Sequence, residues 1–88
     1  MTTANRDTVT VTFNGTDNTV EYQPHAAVQA LLDHAKQAFG LQNAPSNHLL
    51  SLFTEAGVEL DDKQSAQDAG VVPGMLLVLR QSTVKGGA

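Results

Sequence analysis

The sequence predicts a two-layer α+β domain in which a single helix covers one face of a mixed sheet of four to five strands. Two patterns in the 88 residues predict this fold class. Several short stretches alternate apolar and polar residues with the period of two that is typical of half-buried strands. One stretch has the 3.6-residue period of an amphipathic helix. The length allows one small hydrophobic core, and therefore one domain.

The first part of the domain is a predicted β-hairpin. Residues 1–7 are polar, and we expect a flexible terminus. Residues 8–13 alternate threonine with valine and phenylalanine, residues 14–18 are rich in turn formers, and residues 19–23 alternate again. Two alternating stretches across a short glycine-containing turn are typical of a hairpin. Pro24 ends the second strand because it lacks a backbone N–H.

A helix follows over residues 26–39, and its apolar residues recur at helical spacing. Gly40 stands where a left-handed C-cap belongs, so the helix is expected to end there. We expect one face of this helix to pack on the sheet. The apolar residues of that face are Val28, Leu31, Leu32, Ala35 and Phe39.

The second half of the chain supplies the remaining strands. Residues 48–54 are predicted as a strand and residues 58–60 as a short edge strand. Residues 61–70 are polar, and Ser65 and Asp68 have the spacing of a capping box, which favours one turn of helix. Residues 75–80 form an unbroken apolar run, typical of a central strand, and we expect them beside residues 8–13.

The composition argues against several kinds of partner. The net charge of −4, with only five Lys and Arg, argues against nucleic acid, because phosphate binding needs clustered positive charge. No apolar run approaches the ~20 residues of a membrane span, and the polar start is unlike a signal peptide. The absence of cysteine excludes disulfides and thiolate metal sites. We therefore expect a cytoplasmic monomer with no membrane or nucleic-acid partner.

Two motifs carry a resemblance to a known family. The stretch VELDDKQSAQDAGV, residues 58–71, and the strand LLVLR, residues 76–80, with Gly-Gly beyond it resemble the ubiquitin-like β-grasp family. The resemblance spans residues 8–80 and is greatest to bacterial ubiquitin-like modifiers whose C-terminus carries Gly-Gly. It implies the β-grasp fold for residues 8–80 and a flexible tail over residues 81–88.

The resemblance also implies a function, in which the chain is a substrate of enzymes and not itself an enzyme. Cleavage after Gly87 would remove Ala88, and the freed carboxylate would be adenylated with ATP and joined to amines of target proteins by isopeptide bonds. The expected partners are an activating enzyme, a conjugating enzyme, a processing peptidase and the targets. Gly86 and Gly87 keep the tail slim, since glycine has no Cβ.

Two other functions fit the same residues. A sulfur carrier would use the adenylated Gly87 to form a thiocarboxylate, and a noncovalent binding module would not need the glycines at all. The chain also departs from ubiquitin in its slightly longer tail, in Ala88 and in its few lysines, so chain building is not expected. Those lysines are Lys36, Lys63 and Lys85.

The resemblance implies a recognition patch on the face of the sheet away from the helix. If Met75, Leu77 and Leu79 point towards the helix, the alternate residues point away from it. The predicted patch consists of Phe53, Leu76, Val78 and Arg80. Contiguous exposed apolar surface usually marks an interface. Ser51 on the same face makes this patch more polar than that of ubiquitin.

The other candidate residues have simpler interpretations. The three histidines have no ligand spacing, so we expect no metal site and solvated side chains. They are His25, His34 and His48. Asp61 and Asp62 are interpreted as turn formers, and Ser65 has no base partner that would make it a nucleophile. No cofactor is expected.

Overall fold

A computed structural model describes residues 7–45 and 47–85, and these fold into a four-stranded sheet with one helix. The strand order is β2-β1-β4-β3. β1 and β4 pair in parallel at the centre, and each pairs antiparallel with its outer neighbour. This confirms the predicted mixed sheet and the central position of the last strand. The elements are β1 (Asp7–Phe13), β2 (Thr16–Tyr22), α1 (Val28–Ala38), β3 (Leu50–Thr54) and β4 (Leu76–Gln81).

The hairpin between β1 and β2 is tighter than predicted. Its loop consists of Asn14 and Gly15, whose φ angles of 53° and 80° are those of a type I′ turn. This turn matches the twist of the flanking strands and requires a positive φ at both positions, which Asn and Gly tolerate best. The prediction of a turn over residues 14–18 is therefore wrong, because Asp17 and Asn18 already pair with β1.

The helix begins two residues later than predicted, and no side chain caps it. Its first backbone N–H groups bond instead to backbone carbonyls of the loop over residues 61–70. The N–H of Val28 donates to the carbonyl of Gln64 at 2.7 Å, and that of Gln29 donates to the carbonyl of Asp62 at 3.1 Å. The loop over residues 61–70 thus satisfies donors that a helix otherwise leaves unpaired.

The end of the helix agrees with the sequence. Gly40 has a φ of 70°, and its N–H bonds to the carbonyl of Gln37 at 3.1 Å. The N–H of Leu41 bonds to the carbonyl of Lys36 at 2.8 Å, which completes a Schellman motif. The chain therefore turns away from the helix at the residue that the sequence indicates.

The core lies between α1 and the sheet. Val28, Leu31, Leu32 and Ala35 are buried in it, as predicted, and Phe39 packs at its margin with its ring 5.5 Å from that of Phe13. Most of the strand residues in the core were predicted to face inward. They are Val9, Val11, Leu52, Leu77 and Leu79, with Phe13, Leu50 and Met75 partly buried against them, and Val20 of β2 joins them.

The segments around β3 are less regular than predicted. A 3₁₀ turn, Asn47–Leu49, precedes β3, so the strand is shorter than residues 48–54. Residues 58–60 meet β3 through one bridge, Phe53 to Glu59, flanked by a 2.9 Å hydrogen bond on either side. Residues 61–70 contain no assigned helix, although Ser65 caps a single turn by accepting the N–H of Asp68 at 3.0 Å.

Across residues 7–45 and 47–85 there is no helix long and apolar enough to cross a membrane.

Candidate functional site

The face of the sheet away from α1 carries three of the four predicted patch residues at its surface. Leu76 and Val78 of β4 are half-buried, and Arg80 is exposed. The register of β1 places Thr10 beside Leu76 and Thr12 beside Val78. The apolar strip along β4 is therefore narrow and has threonines on one side. Whether a partner binds there remains a prediction.

Phe53 was predicted to be exposed in this patch, and that prediction is wrong. It lies on the expected face, opposite Val78, but is only 2% exposed. The guanidinium carbon of Arg80 lies 4.7 Å from the centre of the Phe53 ring, a cation–π distance. Residue Glu59 pairs with Phe53 on its other side. The Phe53 ring is therefore buried on this face, and the charged guanidinium of Arg80 packs over it.

The chain returns to this end of the sheet after β4. We call residues 82–85 the return segment. Its first residue continues the pairing with the start of β3, because the N–H of Ser82 donates to the carbonyl of Leu49 at 2.7 Å. Ser51, next to this contact, is fully buried, and its hydroxyl has no hydrogen-bond partner.

The Glu59 carboxylate accepts three hydrogen bonds from the return segment. One carboxylate oxygen accepts the Ser82 hydroxyl. The other accepts the backbone N–H of Thr83 at 3.0 Å and its hydroxyl at 2.8 Å. Both carboxylate oxygens are therefore occupied by two consecutive residues.

Further contacts extend this arrangement towards the end of the segment. The Ser82 hydroxyl oxygen accepts the N–H of Val84 at 3.0 Å and that of Lys85 at 2.9 Å. Lys85 Nζ lies 2.6 Å from Asp62 Oδ2 and donates to the carbonyl of Leu50 at 2.7 Å. Glu59 and Asp62, which we call the anchor residues, thus fix the return segment at its two ends.

This geometry differs from the predicted tail of residues 81–88. Gln81 is the last residue of β4, and the return segment folds back on the domain instead of extending from it. Lys85, considered above as an acceptor amine, has its Nζ engaged by Asp62 and Leu50. The predicted conjugation and processing residues Gly86, Gly87 and Ala88 lie outside the described residues.

The electrostatics of Glu59 reflect these contacts. Burial alone would raise the pKa of its carboxyl group, but hydrogen bonds from Ser82 and Thr83, with the Ser51 hydroxyl nearby, outweigh that effect. They lower the pKa from an ordinary 4.5 to about 2, because they stabilise the charged form. At neutral pH the return segment therefore binds an ionised carboxylate.

A shallow groove of about 410 Å³ lies beside the anchor residues, between residues 59–63 and residues 83–85. Val84 forms part of its wall and is 72% exposed, the highest value among the large apolar residues that the structure describes. The return segment thus contacts the domain through polar groups, while its apolar side chain faces solvent.

The remaining candidates do not come together. His25, His34 and His48 are exposed, and His34 Nδ1 lies 3.1 Å from the backbone carbonyl of Glu21. Among the described residues, no group of three or more His, Asp or Glu side chains could hold a metal ion. Asp61 caps its own turn by accepting the N–H of Lys63 at 2.9 Å, as a turn former does, whereas Asp62 makes the ion pair that sequence reasoning missed.

Many solved structures are similar to this chain, and three of them are described below, whereas no family model and no curated protein sequence matches it. A de novo designed protein based on ubiquitin has a TM-score of 0.74 at 20% identity, over 94% of this chain and 96% of its own. A ubiquitin-like domain of an Arabidopsis thaliana protein has a TM-score of 0.68 at 24% identity, over 92% of this chain and 82% of its own.

The third is ATBAG1, solved in complex with HSP70, with a TM-score of 0.71 at 17% identity, over 89% of this chain and 41% of ATBAG1. At these identities the similarity establishes the fold alone. The chain has the ubiquitin-like β-grasp fold, as the sequence predicts.

Proposed function

We propose that this chain is a ubiquitin-like protein modifier that is processed after Gly87 and attached through that residue to amines of target proteins. The observation that carries the proposal is the position of Gly86 and Gly87, shortly beyond the end of β4 at Gln81 in a β-grasp domain. Two glycines contribute little to a fold, but they let a chain enter a narrow active site.

The chemistry follows from a free Gly87 carboxylate. Hydrolysis of the Gly87–Ala88 peptide bond by a peptidase removes the chain beyond Gly87 and exposes that carboxylate. The carboxylate attacks the α-phosphorus of ATP, displaces pyrophosphate and forms an acyl-adenylate. A thiolate of the activating enzyme then displaces AMP to form a thioester, and a target amine displaces the thiol to form an amide. This chain supplies the acyl group, and its partners supply the catalytic residues.

The outer face of β4 is the proposed docking surface for the activating and conjugating enzymes. Leu76 and Val78 offer a narrow apolar strip, and the guanidinium of Arg80 stands over Phe53 at its end. Arginine is enriched at protein interfaces and among the residues that contribute most of the binding energy. The complex of ATBAG1 with HSP70 supports a protein partner for a chain of this fold.

The test uses a chain that ends at Gly87 and carries an N-terminal tag, incubated with ATP and an extract of its source cells. We expect a higher-mass adduct on a nonreducing gel that thiol removes, followed by thiol-resistant conjugates. The matched control lacks Gly86 and Gly87 and should form neither product. Gly87→Ala should slow thioester formation, since a Cβ restricts the backbone beside the reacting carbonyl.

The same experiment separates the other two functions. A sulfur carrier would yield a free chain whose mass shows one carboxylate oxygen replaced by sulfur, without thiol-resistant conjugates. A noncovalent module would bind partners equally well with or without the two glycines. Conjugates that persist in the double deletion would contradict the proposed role of Gly87.

A further inference from the structure

We infer that the return segment is an autoinhibitory contact, which the anchor residues Glu59 and Asp62 hold closed and which opens before the terminal glycines can enter another enzyme's active site. The autoinhibitory role rests on the proposed function. The closed state of residues 82–85 rests only on contacts within this chain.

The closed state is a specific arrangement, because consecutive backbone groups find partners in it. The N–H groups of Ser82, Thr83, Val84 and Lys85 all donate hydrogen bonds, the second of them to the Glu59 carboxylate. The Ser82 hydroxyl links that carboxylate to the two N–H groups that follow. Removing the charge of Glu59 should therefore loosen the whole segment.

The closed state is also easily opened. Ser82 is buried, but residues 83–85 are exposed and their contacts are polar, so each of those contacts contributes little net free energy. Val84 is 72% exposed, so little apolar surface is buried on closing. A segment held in this way exchanges with an open form at low cost.

The consequence of opening is a longer reach. With Lys85 fixed to Asp62, two residues separate that contact from the Gly87 carboxylate, at most about 7 Å of chain at 3.3–3.6 Å per residue. Once residues 82–85 are released, the extended chain from Ser82 to Gly87 spans roughly 20 Å. A partner that binds the extended form would shift the population towards it, in proportion to its preference for that form.

The first experiment measures opening without any partner. Trypsin cleaves after Lys85 only when that lysine leaves Asp62, so intact mass follows the loss of the residues beyond it. We expect Glu59→Gln and Asp62→Asn each to raise the cleavage rate by about threefold to tenfold, the range of one charged hydrogen bond at a surface. Glu55→Gln and Asp17→Asn, at exposed positions outside the return segment, should leave the rate unchanged.

Hydrogen exchange provides a second measurement that does not depend on lysine recognition. The Thr83 amide should exchange more slowly than in an unstructured peptide, and Glu59→Gln should remove that protection. Exchange of Thr83 at the unstructured rate in the unmodified sequence would overturn the closed state. Circular dichroism of each variant separates local opening from loss of the fold.

The second experiment asks whether opening controls the reaction. In chains that end at Gly87, Glu59→Gln and Asp62→Asn should accelerate thioester formation at limiting activating enzyme by a factor similar to the increase in trypsin cleavage. Faster cleavage without faster thioester formation would overturn the autoinhibitory role and leave the proposed function intact. Absence of thioester in every chain, with the cleavage result as expected, would instead refute the proposed function and leave only the two-state segment.

Discussion

The two faces of the sheet differ in burial and polarity, although the same strands form both. In β4, Leu77 and Leu79 are fully buried under α1, while Leu76 and Val78 between them are half-buried on the other face. The helix-covered face is closed mainly by apolar packing. The open face carries threonines, an arginine over an aromatic ring, and a return segment held by hydrogen bonds. One face thus stabilises the fold, and the other is available to change its contacts.

The largest expected effect comes from introducing a charge on each face in turn. Leu77→Asp should unfold the domain at 25 °C, because burying an ionised carboxylate costs several kcal/mol, a large part of the stability of a small domain. Val78→Asp, one residue along the strand, should leave the chain folded and weaken binding to the activating enzyme. Circular dichroism and a binding titration measure the two effects. Unfolding by Val78→Asp would show that the open face is part of the core.

A truncation on each face gives a smaller effect. Leu32→Ala removes a fully buried side chain of α1 and should lower the free energy of unfolding by about 2–5 kcal/mol. Leu76→Ala removes the same atoms from a half-buried position and should cost about half as much or less. Urea denaturation measures both. Equal losses would mean that the two faces are packed to a similar degree.

The smallest expected effect is a pH dependence of the contacts on the open face, which the helix-covered face should lack. Because hydrogen bonds lower the pKa of Glu59 to about 2, its contribution is complete above its ordinary pKa of 4.5 and is lost as the pH falls towards 2. The Thr83 amide chemical shift should move over that range, while that of Leu77, buried on the helix-covered face, should move little. The shift should be absent in Glu59→Gln. The ion pair of Asp62 with Lys85 also holds the return segment. The same measurement on Asp62→Asn separates the contribution of that ion pair from the contribution of Glu59.

The sequence predicts the helix-covered face well, because that face depends on periodicity. Val9 and Val11 alternate with threonines, and Leu31 and Leu32 recur at helical spacing, so each pattern indicates which side is buried. The exact limits of elements depend on partners that periodicity does not show. The helix starts at Val28 because the carbonyls of residues 62 and 64, distant in the sequence, receive its first N–H groups.

The open face is predicted less well for a related reason. Alternation places Phe53 on that face correctly, but only the structure shows that Arg80 covers it. The anchor contacts join Glu59 to Ser82 and Thr83, and no local pattern links residues so far apart. A signal was nevertheless present, since Glu59 interrupts an apolar edge segment and its side chain has to point to the open face.

The parallel pairing of β1 with β4 has a consequence for how the chain acquires its structure. Thr10 pairs with Leu76, so the central contact of the sheet joins segments separated by nearly the whole domain. Such long-range contacts require a large loop to close before they gain stability, which slows folding. During synthesis, the hairpin of β1 and β2 presents an unpaired strand edge until residues 76–81 leave the ribosome. Until then that edge is open to pairing with another chain.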